Sequence, residues 1–185
     1  MKKNLTLSQW LIEKTDGEAY RAGKLHGEKH PEVDQQLINK IGNLKKLLSQ
    51  ARELEKDPEL TGLIRFDWRD MGNDIRTIHY SVEIIPILCG REGIEDPRKR
   101  QQRYIGKVKE LLQEVSQLEI DWLKPYYRSL SERLEQGKLV KEMEDEAWFV
   151  CLNAIAKIPC PIWKRVFSAR VFRDSKRFQT TYEDR

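Results

Sequence analysis

The most regular pattern of apolar positions runs from Leu37 to Leu54. Leu37, Ile41, Leu44, Leu48 and Ala51 recur at alternating spacings of four and three, and Ile38, Leu47 and Leu54 widen the stripe. This predicts a helix from Asp34 to about Glu55, too short in its seam for a coiled coil and wide enough to pack in a core. Asp57-Pro58 and Thr61-Gly62 end it. Before it, Thr6 or Ser8 can cap a short helix carrying Trp10, Leu11 and Ile12. Gly17, Gly23 and Gly27 then space out a loosely structured stretch up to Pro31.

The period changes to two after Gly62. Ile64, Phe66 and Trp68 alternate along LIRFDW, and Ile78, Tyr80 and Val82 along IRTIHYSV; between them RDMGND has turn chemistry at Gly72, Asn73 and Asp74. An antiparallel hairpin packed on the helix that contains Leu44 and Leu48 is expected. A short helix, a long helix and then one hairpin is the element order of a winged-helix unit, with the hairpin as the wing.

Pro86 and Gly90 punctuate the link onward. Asp96 reads as an N-cap with Pro97 at the first helical position. The helix that follows buries Ile105, Val108, Leu111, Leu112, Val115 and Leu118, with a break or kink expected near Pro125, and Gln117 to Glu119 either bends or runs on into the next helical stretch. A further helix stops at Gly137, and another runs from Leu139 to Ile158 with Met143, Trp148, Phe149, Leu152 and Ile155 facing inward. Trp163 to Phe172 reads as a strand. The fold class expected is mainly α with a small β-hairpin: a winged-helix-like unit over 1–90, an antiparallel helical region over 91–160, and a short C-terminal strand within 161–185 that opens a following domain.

Charge adds a distribution rather than a total. The net charge is +4. Arg98 to Lys109 holds six basic residues and no acid, and Pro161 to Arg185 holds seven against three. Arg98, Lys99, Arg100 and Arg103 fill the first turns of a helix, where the macrodipole disfavours cations. They are candidate phosphate contacts, with a solvated helix start as the plainer reading. Arg65, Arg69 and Arg76 lie in or beside the hairpin, where Asp67, Asp70 and Asp74 are available to neutralise them. Trp68 and Tyr80 read as core.

Catalytic patterns are not found. There is no GxSxG, all three histidines lie in the first 80 residues, and Gly90-Arg91-Glu92-Gly93 lacks the spacing and the following Lys-Ser/Thr of a phosphate loop. His26 and His30 would share a face only in a helix, which Gly27 and Pro31 oppose, so solvated loop residues are the plainer reading. Glu142, Glu144, Asp145 and Glu146 point around a helix rather than into one metal site. Cys89, Cys151 and Cys160 are odd in number and form no CxxC pair, so a structural zinc site is not expected and a reducing cytoplasm fits. Gln9 and Glu13 break the apolar run of the N-terminus too early for a signal peptide, and no stretch approaches a membrane span.

The segment from Arg165 to Phe178 is similar to a motif R-x-F-S-x-x-x-F-G-D-S-K of JetD-like nuclease subunits of Wadjet antiplasmid defence systems. Arg165, Phe167, Ser168, Phe172, Asp174, Ser175 and Lys176 match, and Arg173 stands at the glycine. The resemblance implies an N-terminal arm with winged-helix character that precedes a Toprim-type nuclease domain. It implies partners too: double-stranded DNA, SMC-like complex subunits and a possible homodimer. A divalent metal such as Mg²⁺ and the catalysis would belong to the nuclease domain, and this chain would hold neither. Asp174, Ser175 and Lys176 would then form a structural joint. A winged-helix transcriptional regulator with a helical dimerisation body, or a structural helical scaffold, remain the alternatives.

Overall fold

A computed structural model describes residues 4–118 and 120–184. The chain divides into two compact units, one reaching to Arg103 and the other beginning at Tyr104.

In the first unit, Thr6 closes a capping box with Gln9 at the start of α1 (Leu7–Thr15). The stretch up to Pro31 is more ordered than its glycines predict. It forms α2 (Glu18–Arg21) and a two-residue strand, β1 (Glu28–Lys29). The expected helix from Asp34 to Glu55 has the predicted ends but is two helices, α3 (Gln35–Ile41) and α4 (Leu44–Glu55). Gly42 separates them at φ 120°, a conformation that L side chains rarely adopt, and the Asn43 side chain accepts from the Lys46 amide to start α4. A β-carbon on Gly42 would lie 2.7 Å from the Asn4 amide nitrogen, so the turn is closed to larger residues.

The hairpin forms as predicted. β2 (Ile64–Arg69) pairs antiparallel with β3 (Asp74–Ser81), with a register shift between Phe66 and Trp68. β1 adds to the other side of β3, giving the order β1-β3-β2. Helices, an edge strand, a helix-turn-helix and a two-stranded wing in this order are the arrangement of a winged-helix unit. Ile64, Phe66, Ile75, Ile78 and Tyr80 face inward and share a core with Leu7, Leu11, Leu37, Ile41, Leu47, Ala51 and Leu54. Leu44 and Leu48 pack against its margin. The link after Val82 is helical: α5 (Ile84–Glu92) accommodates Pro86 in its first turn, where no intrahelical donor is lost.

α6 (Pro97–Gln117) leads into the second unit. The chain turns at Asp121–Leu123 and enters α7 (Lys124–Glu135), with Pro125 in its first turn. Whether the chain is helical through Glu119 falls outside the described residues. The helix expected from Leu139 to Ile158 is interrupted. Lys141–Glu144 is a 3₁₀ turn, and α8 (Glu146–Ala156) starts where Asp145 accepts from the Trp148 amide. The expected C-terminal strand is a helix, α9 (Lys164–Phe172). Phe167 and Ser168 are buried, and Val171 and Phe172 half-buried, a helical stripe that a run this short does not distinguish from a strand. Residues 161–184 contribute Phe167 and Tyr182 to the same core as Val108, Tyr127, Leu130, Phe149 and Cys151.

Candidate nucleic-acid interface

The turn at Gly42 sets α4 as the second helix of a helix-turn-helix. Its inner face is spent on the core through Leu47, Ala51 and Leu54, which leaves Lys45, Lys46, Ser49, Arg52, Glu53 and Lys56 exposed on the other. Among the described residues, no ion pair engages Lys45, Lys46 or Lys56. Arg52 is committed to the wing. It donates to the Gly72 carbonyl at 2.8 Å and lies 5.4 Å from the centre of the Trp68 ring, whose Nε1 donates to Glu55. Helix and wing are thereby fixed to each other by an arginine whose pattern in sequence gives no hint of it.

The hairpin arginines point outward with Asp67 between them. Arg65 lies opposite His79 in the register, and Arg69 opposite Asp74. The His79 Nε2 to Asp67 Oδ2 distance is 2.9 Å. That hydrogen bond, reinforced by the charges of Arg65 and Arg76, holds the Asp67 carboxyl below the usual carboxylate range. The partner of His30 is not His26 but His79, with 2.7 Å between the two Nδ1 atoms. No group of three or more metal-ligating side chains occurs among the described residues.

The basic run at the start of α6 is largely engaged within its own unit. Asp96 caps the helix by accepting from the Arg98 amide. Arg98 donates to the Tyr20 and Leu25 carbonyls and lies over the Tyr20 ring at 4.2 Å. Arg100 pairs with Asp16 at 3.4 Å and Arg103 with Glu95 at 3.0 Å. Lys99 is exposed. Of these partners only Glu95 and Asp96 adjoin the run in sequence. Asp16 and the two carbonyls are brought to it by folding, which is why the run reads from sequence as uncompensated.

The C-terminal motif builds a turn. Ser168, fully buried, donates to the Asp174 carbonyl and accepts from the Phe178 amide at 2.9 Å. Asp174 accepts from the Lys176 amide at 2.8 Å, the local capping role expected of it. Arg173, in the motif's glycine position, has φ 56°. Phe167 meets Phe178 edge-on and Phe172 stacks on Tyr182. Arg165, Ser175 and Lys176 are exposed.

Thiol chemistry is suppressed where the cysteines are buried: desolvation pushes Cys89 and Cys151 up to about 11. No helix among the described residues is long and apolar enough to cross a membrane. Comparisons with protein-family models, with curated proteins and with solved structures gave no match.

Proposed function

We propose that this chain is a non-catalytic, duplex-DNA-binding module. The observation that carries the reading is the exposed face of α4, where Lys45, Lys46 and Lys56 stand without ion pairs among the described residues, on the second helix of a helix-turn-helix beside a wing. A helix so placed fits a major groove, and its lysines neutralise phosphates along the rim. The wing arginines Arg65, Arg69 and Arg76 supply further contacts, tempered by Asp67, Asp70 and Asp74. Arg98, Arg100 and Arg103 serve the fold in this reading, and Lys99 is the member of that run left to meet a phosphate.

The test is duplex affinity across a salt series. Replacing Lys45, Lys46 and Lys56 together by Ala should weaken binding to all sequences and reduce the log–log salt slope by about 2.7, roughly 0.9 per phosphate contact. An unchanged slope refutes the assignment of α4.

Within that reading, the resemblance of residues 165–178 supports a finer one: the module is the arm of a JetD-like defence nuclease, acting in a reducing cytoplasm with SMC-like subunits as partners. Arg173 favours it, because the position at which the motif has glycine adopts a left-handed conformation here. Asp174→Ala in the full-length nuclease should then abolish plasmid protection while metal-dependent nicking survives. Loss of nicking in a folded variant would make Asp174 catalytic and overturn this division of labour.

A further inference from the structure

The tip of the wing is strained in an unusual way. Asp70 and Met71 have φ 48° and 55°, and Gly72 follows at 90°. Left-handed backbone is costly for a residue with a β-carbon, and Gly or Asn fills such turn positions readily. Met71 gains no burial in return, since its side chain is fully exposed. The loop is also held: Arg52 of α4 donates to the carbonyl of Gly72, and Trp68 at the base of the wing is clamped between Arg52 and Glu55. A solvated methionine is thus carried, at a local cost in stability, on a tip fixed to the helix that faces the groove. Strain retained by surrounding structure, without a packing return, is a mark of a functional position.

Charge indicates what the tip does. Arg65, Arg69 and Arg76 are balanced by Asp67, Asp70 and Asp74 along the hairpin. A wing of zero net formal charge adds little counterion release beyond the tempered contacts of its arginines, so most of its contribution to binding comes from shape and apolar contact.

We infer that Met71 is an apolar wedge that enters the minor groove beside the site of α4, parts a base step and bends the duplex. The inference rests on the duplex-binding reading above. Methionine suits the role because an unbranched thioether slides between bases and adapts to the opened step, and a bent duplex wraps more protein surface. Pyrimidine–purine steps, which kink most easily, are the favoured targets.

The experiment measures affinity, salt slope and end-to-end energy transfer on a doubly labelled duplex containing a TA step, using the whole chain. Wild type should shorten the end-to-end distance. Met71→Gly and Met71→Ala should lose the bend and weaken binding about tenfold, with the salt slope unchanged. Met71→Gly should also melt no lower than wild type, because glycine relieves the left-handed strain, so weaker binding cannot be charged to unfolding. Variants that bind and bend as wild type does would overturn the wedge while leaving α4 as the reader. A changed salt slope would make the tip an electrostatic contact and overturn it too. If Met71→Gly changed the oligomeric state instead, the tip would be a protein contact and the minor-groove assignment would fall. Absence of duplex binding by wild type would remove both this inference and the reading beneath it.

Discussion

Ser168→Ala isolates the C-terminal turn. The hydroxyl is fully buried, donates to the Asp174 carbonyl and accepts from the Phe178 amide. Removing it leaves two backbone groups without their partner. Each buried group left unpaired costs about 1–3 kcal/mol, and water reaches the exposed side of this turn, so the loss is at the lower end for both, about 2–3 kcal/mol in all. The effect is local first. The turn Phe178–Tyr182 carries Tyr182 onto Trp148 and Phe172, so opening it undoes that stack without unfolding the first unit. The assay is native-state amide exchange. Protection of the Phe178 amide should fall at least about thirtyfold, and that of amides in β2 and β3 should not change. Equal protection at Phe178 in both proteins would refute the reasoning, because it would mean that the hydroxyl does not hold the turn.

Other changes have their own signs. Arg173→Gly should stabilise by about 0.5–1 kcal/mol, the relief of a left-handed arginine less the added freedom of glycine in the unfolded chain, read by chemical denaturation. Gly42→Val should lower the melting temperature of the first unit and speed its digestion by trypsin, since a β-carbon at φ 120° would also meet Asn4 at 2.7 Å; a variant as stable as wild type would contradict the turn geometry. A thiol reagent should label Cys160 at once and reach Cys89 and Cys151 only after unfolding. Those two thiols also set an alkaline limit. Their folded values of about 11 lie above the ordinary 9.0, so between these values the folded chain binds more protons than the unfolded one. Their contribution is full below pH 9 and declines as pH rises toward 11, which denaturant midpoints at pH 8, 9.5 and 10.5 should follow.

Local pattern determined much of this protein. Period-two alternation and a Gly-Asn-Asp turn made the hairpin legible, Asp96 marked one helix start and Thr6 or Ser8 another, of which the structure uses Thr6, and the stripe from Leu37 to Leu54 marked an amphipathic helical stretch. Tertiary structure decided the rest. β1 is two residues long and has no period to read, so only the hydrogen-bonding edge of β3 makes it a strand. The stripe runs through Gly42 without a break, and its division into α3 and α4 depends on the positive φ there and on Asn4 lying against it. Trp163 to Phe172 is too short for its apolar order to choose between periods, and the core around Phe167 and Tyr182 makes it helical. The basic run from Arg98 resembles a free phosphate site along the chain. It is compensated because folding delivers Asp16 and the Tyr20 and Leu25 carbonyls to it, while the lysines of α4, unremarkable in sequence, are left exposed. Electrostatic pairing is a property of positions in space, and spacing along the chain fixes it only within a helical turn or between neighbouring residues.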